Sequence, residues 1–252
     1  MKNLVCALLT VSALTGSVFA AESKTGAYVG GNVGAANTNV KYGFVTSNAA
    51  GAALAATNVN NFNNQAGSMN GLFGLFAGYG MQVGSMYFGG EAFGGFDSAK
   101  VTAYDDTATG QLASSFPKAQ VKRQNYYGLA ARVGGFVNAN TLVYVRLAAE
   151  AGKWTSSVVV GPNAGGSTAV VGAASKGPFT VNKKSISFAP GLGLETYITK
   201  NLFLRAEYSY LFGPSVTVKQ DTSVNGSNQG TLATHTFKVT QNAFKVGVGY
   251  KF

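Results

Sequence analysis

The chain has 252 residues, a formal net charge of +10 and 34 glycines, and only 11% of its residues are charged. Its longest uncharged stretches, 42–90 and 154–175, are interrupted by Gly, Asn or Pro, so neither can form the apolar helix of about 20 residues that crosses a bilayer. Composition therefore excludes a helical membrane protein and, with one cysteine, a disulfide framework; a soluble all-β domain and a membrane β-barrel remain.

The amino terminus predicts a secretory signal peptide. An early lysine is followed by an apolar run that is too short to anchor the chain in a membrane. Val18 and Ala20 are the small residues expected just before a cleavage site. We therefore expect residues 1–20 to be removed, together with Cys6, and residues 21–252 to form a single domain.

Eight segments further along the chain alternate apolar residues with polar or small ones, as strands do when their two faces meet different surroundings. Each is close to the length of about ten residues that a tilted transmembrane strand needs. The predicted strands are residues 26–35, 70–81, 86–97, 124–137, 142–155, 185–197, 202–212 and 237–252.

The connections between these segments alternate in length. Long extracellular loops and short periplasmic turns are typical of outer-membrane barrels, whereas loops in soluble sandwiches are mostly short. The pattern predicts an all-β fold: an eight-stranded antiparallel transmembrane β-barrel with long extracellular loops and short periplasmic turns. The predicted turns are residues 82–85, 138–141 and 198–201, and the predicted loops are residues 36–69, 98–123, 156–184 and 213–236.

Two of these loops carry further expectations. Residues 41–70 are rich in Ala, Asn and Gly, a composition that predicts a mobile segment. In the third loop, valine-rich residues 158–160 and 169–171 flank a Gly/Pro/Asn turn. They predict either a hairpin above the membrane or an extra strand pair, which would give ten strands. The lack of aromatic residues for a membrane girdle favours the hairpin.

Charged residues in the middle of the predicted strands lie on the face opposite the large apolar residues. A lipid-facing Arg or Lys near the bilayer midplane would cost about 2–4 kcal/mol, so these charges should point inward. The interior of an eight-stranded barrel is filled by side chains, and buried charges persist when they are paired. We therefore expect a structural network of four acids and four bases, although a catalytic or ion-conducting carboxylate cluster is an alternative. The predicted interior charges are Glu91, Arg132, Arg146, Glu150, Glu195, Arg205, Glu207 and Lys245.

Four segments and the carboxy terminus resemble the small outer-membrane β-barrel superfamily, which includes opacity-type proteins and alphaproteobacterial surface antigens. The segments are Gly-Ala-Tyr-Val-Gly-Gly-Asn-Val-Gly at 26–34, Gly-Leu-Phe-Gly-Leu-Phe-Ala-Gly-Tyr-Gly at 71–80, Pro-Gly-Leu-Gly-Leu-Glu at 190–195 and Leu-Arg-Ala-Glu-Tyr-Ser-Tyr at 204–210. The resemblance implies a monomeric barrel that the barrel-assembly machinery recognises through its last strand. There, alternating outward residues would form the C-terminal assembly signal: Phe244, Val246, Val248, Tyr250 and Phe252.

Catalytic chemistry has little support in the sequence. Beyond the signal segment the one histidine is His235, and its His-Thr-Phe context does not match the His-x-Ser pattern of barrel lipid A deacylases. A solvated histidine at a strand end is therefore expected rather than a lipid hydrolase that would use neighbouring Thr234, Thr236 or Asp221. One histidine and one cysteine also give no basis for a metal site, and no cofactor is expected.

The remaining functional signal is the positive charge of the predicted loops. We expect a basic loop patch formed by Lys118, Lys122, Arg123, Lys183 and Lys184. Such a patch would attract anionic host glycans or matrix proteins, or the phosphates of lipopolysaccharide in the surrounding outer-membrane lipids. Nucleic acid is not expected, because no ladder of aromatic residues accompanies the charges.

The sequence thus predicts a non-catalytic surface protein of the bacterial outer membrane, with an envelope-structural or adhesin-like host-contact role. Members of the resembled superfamily include adhesins, haemin binders, complement-evasion proteins and structural barrels, so the fold does not settle the activity. Haemin or small-molecule binding and weak passive conduction are the alternatives, and lipid hydrolysis is a less favoured one.

Overall fold

A computed structural model describes residues 24–48, 62–104, 118–159, 179–221 and 231–252. All regular structure in these ranges is extended, in keeping with the period-two alternation of the sequence. Among the described residues, no helix is long and apolar enough to cross a membrane. The strands are β1 Gly26–Asn48, β2 Phe62–Val83, β3 Met86–Asp97, β4 Lys100–Tyr104, β5 Lys118–Asn138, β6 Thr141–Val159, β7 Phe179–Tyr197, β8 Leu202–Asp221 and β9 Thr231–Lys251.

The strands form one closed antiparallel sheet. Their order is β3-β2-β1-β9-β8-β7-β6-β5-β4, and β3 also pairs with β5, which closes the ring. Strands β3 and β4 both pair with β5 and are separated by two residues, so they are successive parts of one wall position. The ring therefore has eight positions, and the predicted eight-stranded antiparallel fold is confirmed.

The ten-stranded alternative is wrong for the described part of the chain. Strand β6 pairs directly with β7 along its length, up to Val158↔Phe179, so no additional strand pair lies between them. Residues 158 and 159 belong to β6, while residues 169–171 lie outside the described ranges.

Most strands are longer than predicted, and β1, β2 and β8 are about twice as long. Strands β1 and β2 stay paired from Gly26↔Gly80 to Phe44↔Phe62, so much of the predicted loop 36–69 is strand. The prediction of a mobile segment at 41–70 is wrong for its described residues, because inward Tyr42 and Phe44 continue the alternation and bury apolar surface. The three predicted turns are present as short connections at residues 84–85, 139–140 and 198–201.

On the periplasmic part of the strands, which the short turns connect, the outward side chains are large, apolar and exposed. We call this surface the lipid belt, and the part of the molecule that it surrounds the membrane half. Its members include Phe73, Leu75, Phe88, Phe96, Tyr127, Leu129, Val145, Leu147, Ile186, Leu192, Leu204, Phe244 and Val248.

Beyond the lipid belt the wall divides into two sheets, which form the extracellular half. The β2–β3 ladder ends at Leu72↔Asp97 and the β7–β8 ladder at Phe188↔Phe212, whereas the other ladders continue. One sheet is then β2-β1-β9-β8 and the other β4-β5-β6-β7. Apolar side chains from both sheets form a shared core, as in a β-sandwich.

Two bulges lie at the border between the halves. Strand β5 has one extra residue between Arg123 and Tyr126 relative to β6, and β8 has one between Phe212 and Ser215 relative to β9. An extra residue shifts the alternation, so a residue that would point outward on a regular strand points inward beyond the bulge. In β8 the bulge contains Pro214, which has no backbone N–H to donate to a ladder.

Candidate functional site

The interior of the membrane half holds a dense ion-pair network. Arg205 donates to Glu91 Oε2 at 2.7 Å through Nη1, and to Glu195 Oε2 at 3.1 Å through Nη2. Arg132 Nη2 donates to the same Glu195 oxygen at 2.7 Å. Tyr28 links these pairs, because its hydroxyl accepts from Arg132 Nη1 at 3.2 Å and donates to Glu91 Oε2 at 3.3 Å. These charges come from four strands and neutralise one another in the centre of the barrel.

A second set of contacts extends this network. Arg146 Nε lies 3.6 Å from both Glu91 Oε1 and Glu207 Oε2, and Lys245 Nζ lies 3.8 Å from Glu207 Oε1. The Tyr144 hydroxyl donates to Glu207 Oε2 at 3.2 Å. The structure places all eight predicted interior charges inside the barrel, each at most 7% exposed.

Aromatic rings fill the space between these charges. The guanidinium carbon of Arg132 lies 3.9 Å from the ring centre of Tyr144, and that of Arg205 lies 4.0 Å from Phe76. Such stacking is favourable and also excludes water from the ion pairs. Inward glycines leave the space that these rings occupy: a Cβ on Gly193 would overlap the Tyr144 ring, and one on Gly30 would overlap the Phe76 ring.

A further polar layer lies above this network, at the border with the extracellular half. Arg123 pairs with Glu150, and its Nη1 lies 3.4 Å from Asp97 Oδ2. Gln241 connects the layer, because its Nε2 donates to Asp97 Oδ2 at 2.9 Å and its Oε1 accepts from Arg123 at 3.0 Å. Asn70 donates to Asp97 as well. With this layer, the interior charges in the ion pairs of the described residues are five acids and five bases: Glu91, Asp97, Arg123, Arg132, Arg146, Glu150, Glu195, Arg205, Glu207 and Lys245.

Asp97 and Arg123 were missed by the sequence reasoning for different reasons. Asp97 has the same strand parity as Glu91, so extending the alternation by six residues would have found it. Arg123 has the opposite parity to Arg132, and only the bulge on β5 turns it inward. The prediction of Arg123 in a basic loop patch is therefore wrong: its side chain is 3% exposed and its partners lie in the interior.

The other members of the predicted patch lie on strands rather than in loops. Lys122, Lys183 and Lys184 are exposed on β5 and β7, and Lys183 Nζ donates to the Ser215 carbonyl across the gap between β7 and β8 at 2.7 Å. Lys118 is the first residue of β5, and its side chain lies outside the described part of the chain.

The interior of the extracellular half is apolar. Val40, Phe237, Val121, Trp154 and Val158 are all at most 1% exposed, and they come from both sheets. Tyr126 is likewise buried at the border, and its ring centre lies 5.0 Å from the Arg123 guanidinium. The barrel is thus filled at two successive levels, first by paired charges and then by an apolar core.

His235 belongs to this apolar core. It is 2% exposed, so the prediction of a solvated strand-end histidine is wrong. Its Nδ1 shares a hydrogen bond of 2.7 Å with the Tyr42 hydroxyl, and its ring packs against Phe44. Burial lowers the pKa of His235 to about 4, because the charged imidazolium would lose its hydration. Its Nε2 has no hydrogen-bond partner among the described residues.

A small cavity of about 10 Å³ remains between the two fillings, which is room for roughly one water molecule. It is lined by Arg123, Tyr126, Glu150, Gln241 and Lys245, among others. Within the described ranges, no group of three or more His, Cys, Asp or Glu side chains is placed to hold a metal ion.

The outward residues of the last strand face lipid. Phe244, Val246, Val248, Tyr250 and Phe252 are between 46% and 71% exposed. They alternate with inward Lys245 and Lys251, which are at most 8% exposed. This placement gives an uninterrupted apolar ribbon on the outside of the last nine residues, next to the ladder between β9 and β1.

Comparison with known proteins places this architecture in a family. The family model described as outer membrane protein beta-barrel domain matches residues 6–252. A search of curated proteins finds no match. Similar solved structures include Ail, the attachment invasion locus protein of Yersinia pestis, in complex with the heparin analogue sucrose octasulfate (15% identity, TM-score 0.39, 90% of this chain and 99% of that chain covered). OprG of Pseudomonas aeruginosa (14%, 0.45, 90% and 96%) and Neisserial surface protein A (14%, 0.35, 86% and 97%) are others. Because the family model covers nearly the whole chain, this protein belongs to the outer membrane β-barrel family and is located in the bacterial outer membrane.

Proposed function

We propose that this protein is a non-catalytic, non-conducting barrel that acts through its outer surface, in an envelope-structural or host-contact role. The observation that carries the proposal is the double filling of the interior. A continuous water path would have to pass both the Arg205–Glu195–Arg132 cluster and the apolar core around Phe237 and Trp154.

The same filling argues against two further alternatives from the sequence, haemin binding and lipid hydrolysis. Pockets for small molecules usually enclose about 300–1,000 Å³, whereas the cavity between the two fillings has room for roughly one water. A hydrolase would need its general base within reach of lipid or water. His235 is instead buried between Tyr42 and Phe44 and lies inside the core rather than on the lipid-facing surface.

Conductance in planar bilayers tests the closed interior. The purified protein should show no steady single-channel current above that of a protein-free membrane. A matched control is the variant Phe237→Gly with Trp154→Gly, which empties part of the apolar core but keeps the charge network. We expect that variant to remain closed as well, because the charged layer still fills the membrane half. Regular open channels in the wild-type protein would overturn the proposal.

The choice between an envelope role and host contact depends on the outer wall. All five acidic side chains with a described exposure are buried, whereas Lys41, Lys183, Lys219 and Lys238 are exposed on the extracellular half. A wall whose charged side chains of described exposure are all cations attracts polyanions at long range, and salt screens the attraction. We therefore expect any host contact to involve anionic glycans or matrix proteins.

Surface display in a laboratory outer-membrane host separates the two roles. Binding of host cells and matrix proteins is counted with and without heparin and added salt, after protease shaving has shown that the protein is exposed. Binding that heparin and salt abolish, and that the variant Lys41→Gln with Lys238→Gln weakens, would support host contact. Binding no greater than that of the empty vector would leave the envelope-structural role.

Two further expectations concern export and assembly. The mature protein should begin at Ala21, which amino-terminal sequencing of the membrane-inserted form would test. Deletion of Phe252 should reduce the amount of folded barrel, measured as the protein that stays folded in unheated denaturing detergent. The reason is that the outward ribbon of β9 would lose its terminal aromatic residue. Unchanged amounts of folded protein would speak against the assembly signal.

A further inference from the structure

Exposed lysines lie directly opposite one another across neighbouring strands of the extracellular half. Lys100 of β4 is paired with Lys122 of β5, and Lys153 of β6 is paired with Lys184 of β7. Lys122 is opposite Thr155, so Lys153 is its diagonal neighbour on the same outward face. These four residues form a row across one sheet, which we call the lysine row.

Such an arrangement is unfavourable on its own. The Cβ atoms of directly opposite residues lie about 4.5–5.5 Å apart, and like charges in these positions repel and destabilise the sheet. The ion pairs of the described residues all lie inside the barrel, and none includes a member of the lysine row. The lysine row therefore presents two repelling pairs to its surroundings without an acidic residue of the described chain to neutralise them, in addition to the opposed pair Lys41 and Lys238 on the other sheet.

The height of the row indicates which anions it meets. Lys184 lies two residues beyond Ile186 of the lipid belt, Lys100 four beyond Phe96, and Lys153 six beyond Leu147. On a strand tilted by about 40°, two to six residues correspond to roughly 5–15 Å along the membrane normal. This is the layer just outside the hydrocarbon, where lipid headgroups carry their phosphates.

We propose that the lysine row is a binding site for the phosphate groups of outer-leaflet lipids, with each opposed lysine pair sharing one phosphate. A phosphate between two ammonium groups turns their repulsion into two charge-assisted hydrogen bonds. The low position of the row favours lipid over a soluble glycan, because a glycan would meet the outer ends of the strands first. The inference requires only the membrane position of the barrel and is independent of whether the interior conducts.

The test uses the full-length folded protein in uncharged detergent micelles. Its unfolding temperature is followed by gel mobility while bisphosphorylated lipid A is titrated in. The variant Lys153→Gln with Lys184→Gln removes one opposed pair. The control Lys200→Gln with Lys219→Gln removes the same charge from two exposed lysines that are not opposite another lysine in the described ladders.

Two opposite effects are expected of the pair variant. Without lipid A its unfolding temperature should equal or exceed that of the wild type, because the repulsion is relieved. With lipid A its apparent affinity should be about tenfold weaker, while the control stays within about twofold of the wild type. A purely structural role of the two lysines would not make the same variant at least as stable without lipid A and weaker in binding lipid A.

Three results would overturn the proposal. One is an equal loss of affinity in the control variant, which would show a general charge effect. Another is the same stabilisation by inorganic phosphate at equal phosphate concentration, which would remove the lipid from the site. The third is stabilisation by heparin fragments but not by lipid A, which would assign the row to a sulfated glycan.

Discussion

The membrane half and the extracellular half are built from the same eight wall positions but have opposite interiors. In the membrane half the outside is apolar, and the inside holds charges such as Arg132 and Glu195. In the extracellular half the outside carries lysines, and the inside is an apolar core around Trp154. Whether lipid or water surrounds the wall therefore determines which side chains fill its interior. Lipid requires apolar residues outside, and strand alternation then places the polar residues inside, whereas water permits the usual arrangement.

The largest expected effect comes from removing one partner of the charge network. Glu195→Ala leaves Arg132 and Arg205 buried without their shared carboxylate, and loss of one partner from a buried pair costs about 3–5 kcal/mol. Unfolding by urea in lipid vesicles measures the change. Thr196→Ala, one residue along β7 and only half-buried, is the control. A loss below about 1 kcal/mol in the Glu195 variant would show that the network is not needed for stability.

Substitution of two buried phenylalanines, one in each half, allows the stability of the two halves to be compared. Phe203 and Phe237 are both fully buried, the first beside Tyr28 in the membrane half and the second beside Tyr42 in the extracellular half. Replacement of either by Ala should cost about 3–5 kcal/mol. We expect Phe203→Ala to weaken the whole barrel, and Phe237→Ala to open the extracellular sandwich to protease while the membrane half stays folded. Equal protease sensitivity in the two variants would contradict two separate cores.

Acid should weaken the extracellular half through His235. The pKa of its imidazole is about 4 in the folded protein and about 6.5 in an unfolded chain, so the unfolded state binds the proton more tightly. Stability is therefore lost as the pH falls from about 6.5 towards 4, by at most about 3 kcal/mol. Protease cleavage of the extracellular half against pH measures this loss. The variant His235→Phe should remove the histidine contribution, and identical pH profiles for both proteins would refute it.

The smallest expected loss of unfolding free energy comes from the packing of the Tyr144 ring against Gly193 in the membrane half. Gly193→Ala would place a Cβ into the Tyr144 ring, which must then move away from Glu207 and Arg132. Overfilling of this kind costs about 1–3 kcal/mol. Gly90→Ala is the matched control, because nothing lies within 4 Å of a Cβ at that exposed position. Similar unfolding free energies for the two variants would show that the ring has room to adjust.

The sequence predicted the membrane half far better than the extracellular half. Inside the lipid belt, alternation of large apolar residues with charges such as Glu91 and Arg146 gives the strands, their facing and the interior network. Beyond it the outward residues are mostly polar, such as Asn, Thr and Lys, so the contrast that predicts a lipid-facing strand is weaker. Val40 and Tyr42 still alternate inward, but without apolar outward neighbours their segment has the composition of a loop.

The functional surface could be predicted only in part for the same reason. The excess of positive charge is visible in the sequence, but the pairing of Lys153 with Lys184 depends on the register of β6 and β7. Arg123 and Lys122 are neighbours in sequence and were expected to act together. The bulge on β5 sends one into the interior and leaves the other outside.

The bulges on β5 and β8 make the two halves separately adjustable in evolution. Gln124 and Asn125 both face outward, so the inside–outside phase of β5 restarts at this point. Substitutions on the extracellular surface are therefore not constrained by the alternation of apolar outward and polar inward residues that lipid requires further down the same strand. Loss of a single residue here would reverse the facing of Lys122 and Arg123. Lys122 would then point into the interior, and Arg123, the partner of Glu150, would point to the cell surface. A one-codon deletion could thus alter surface charge and interior packing together, without any change in strand number.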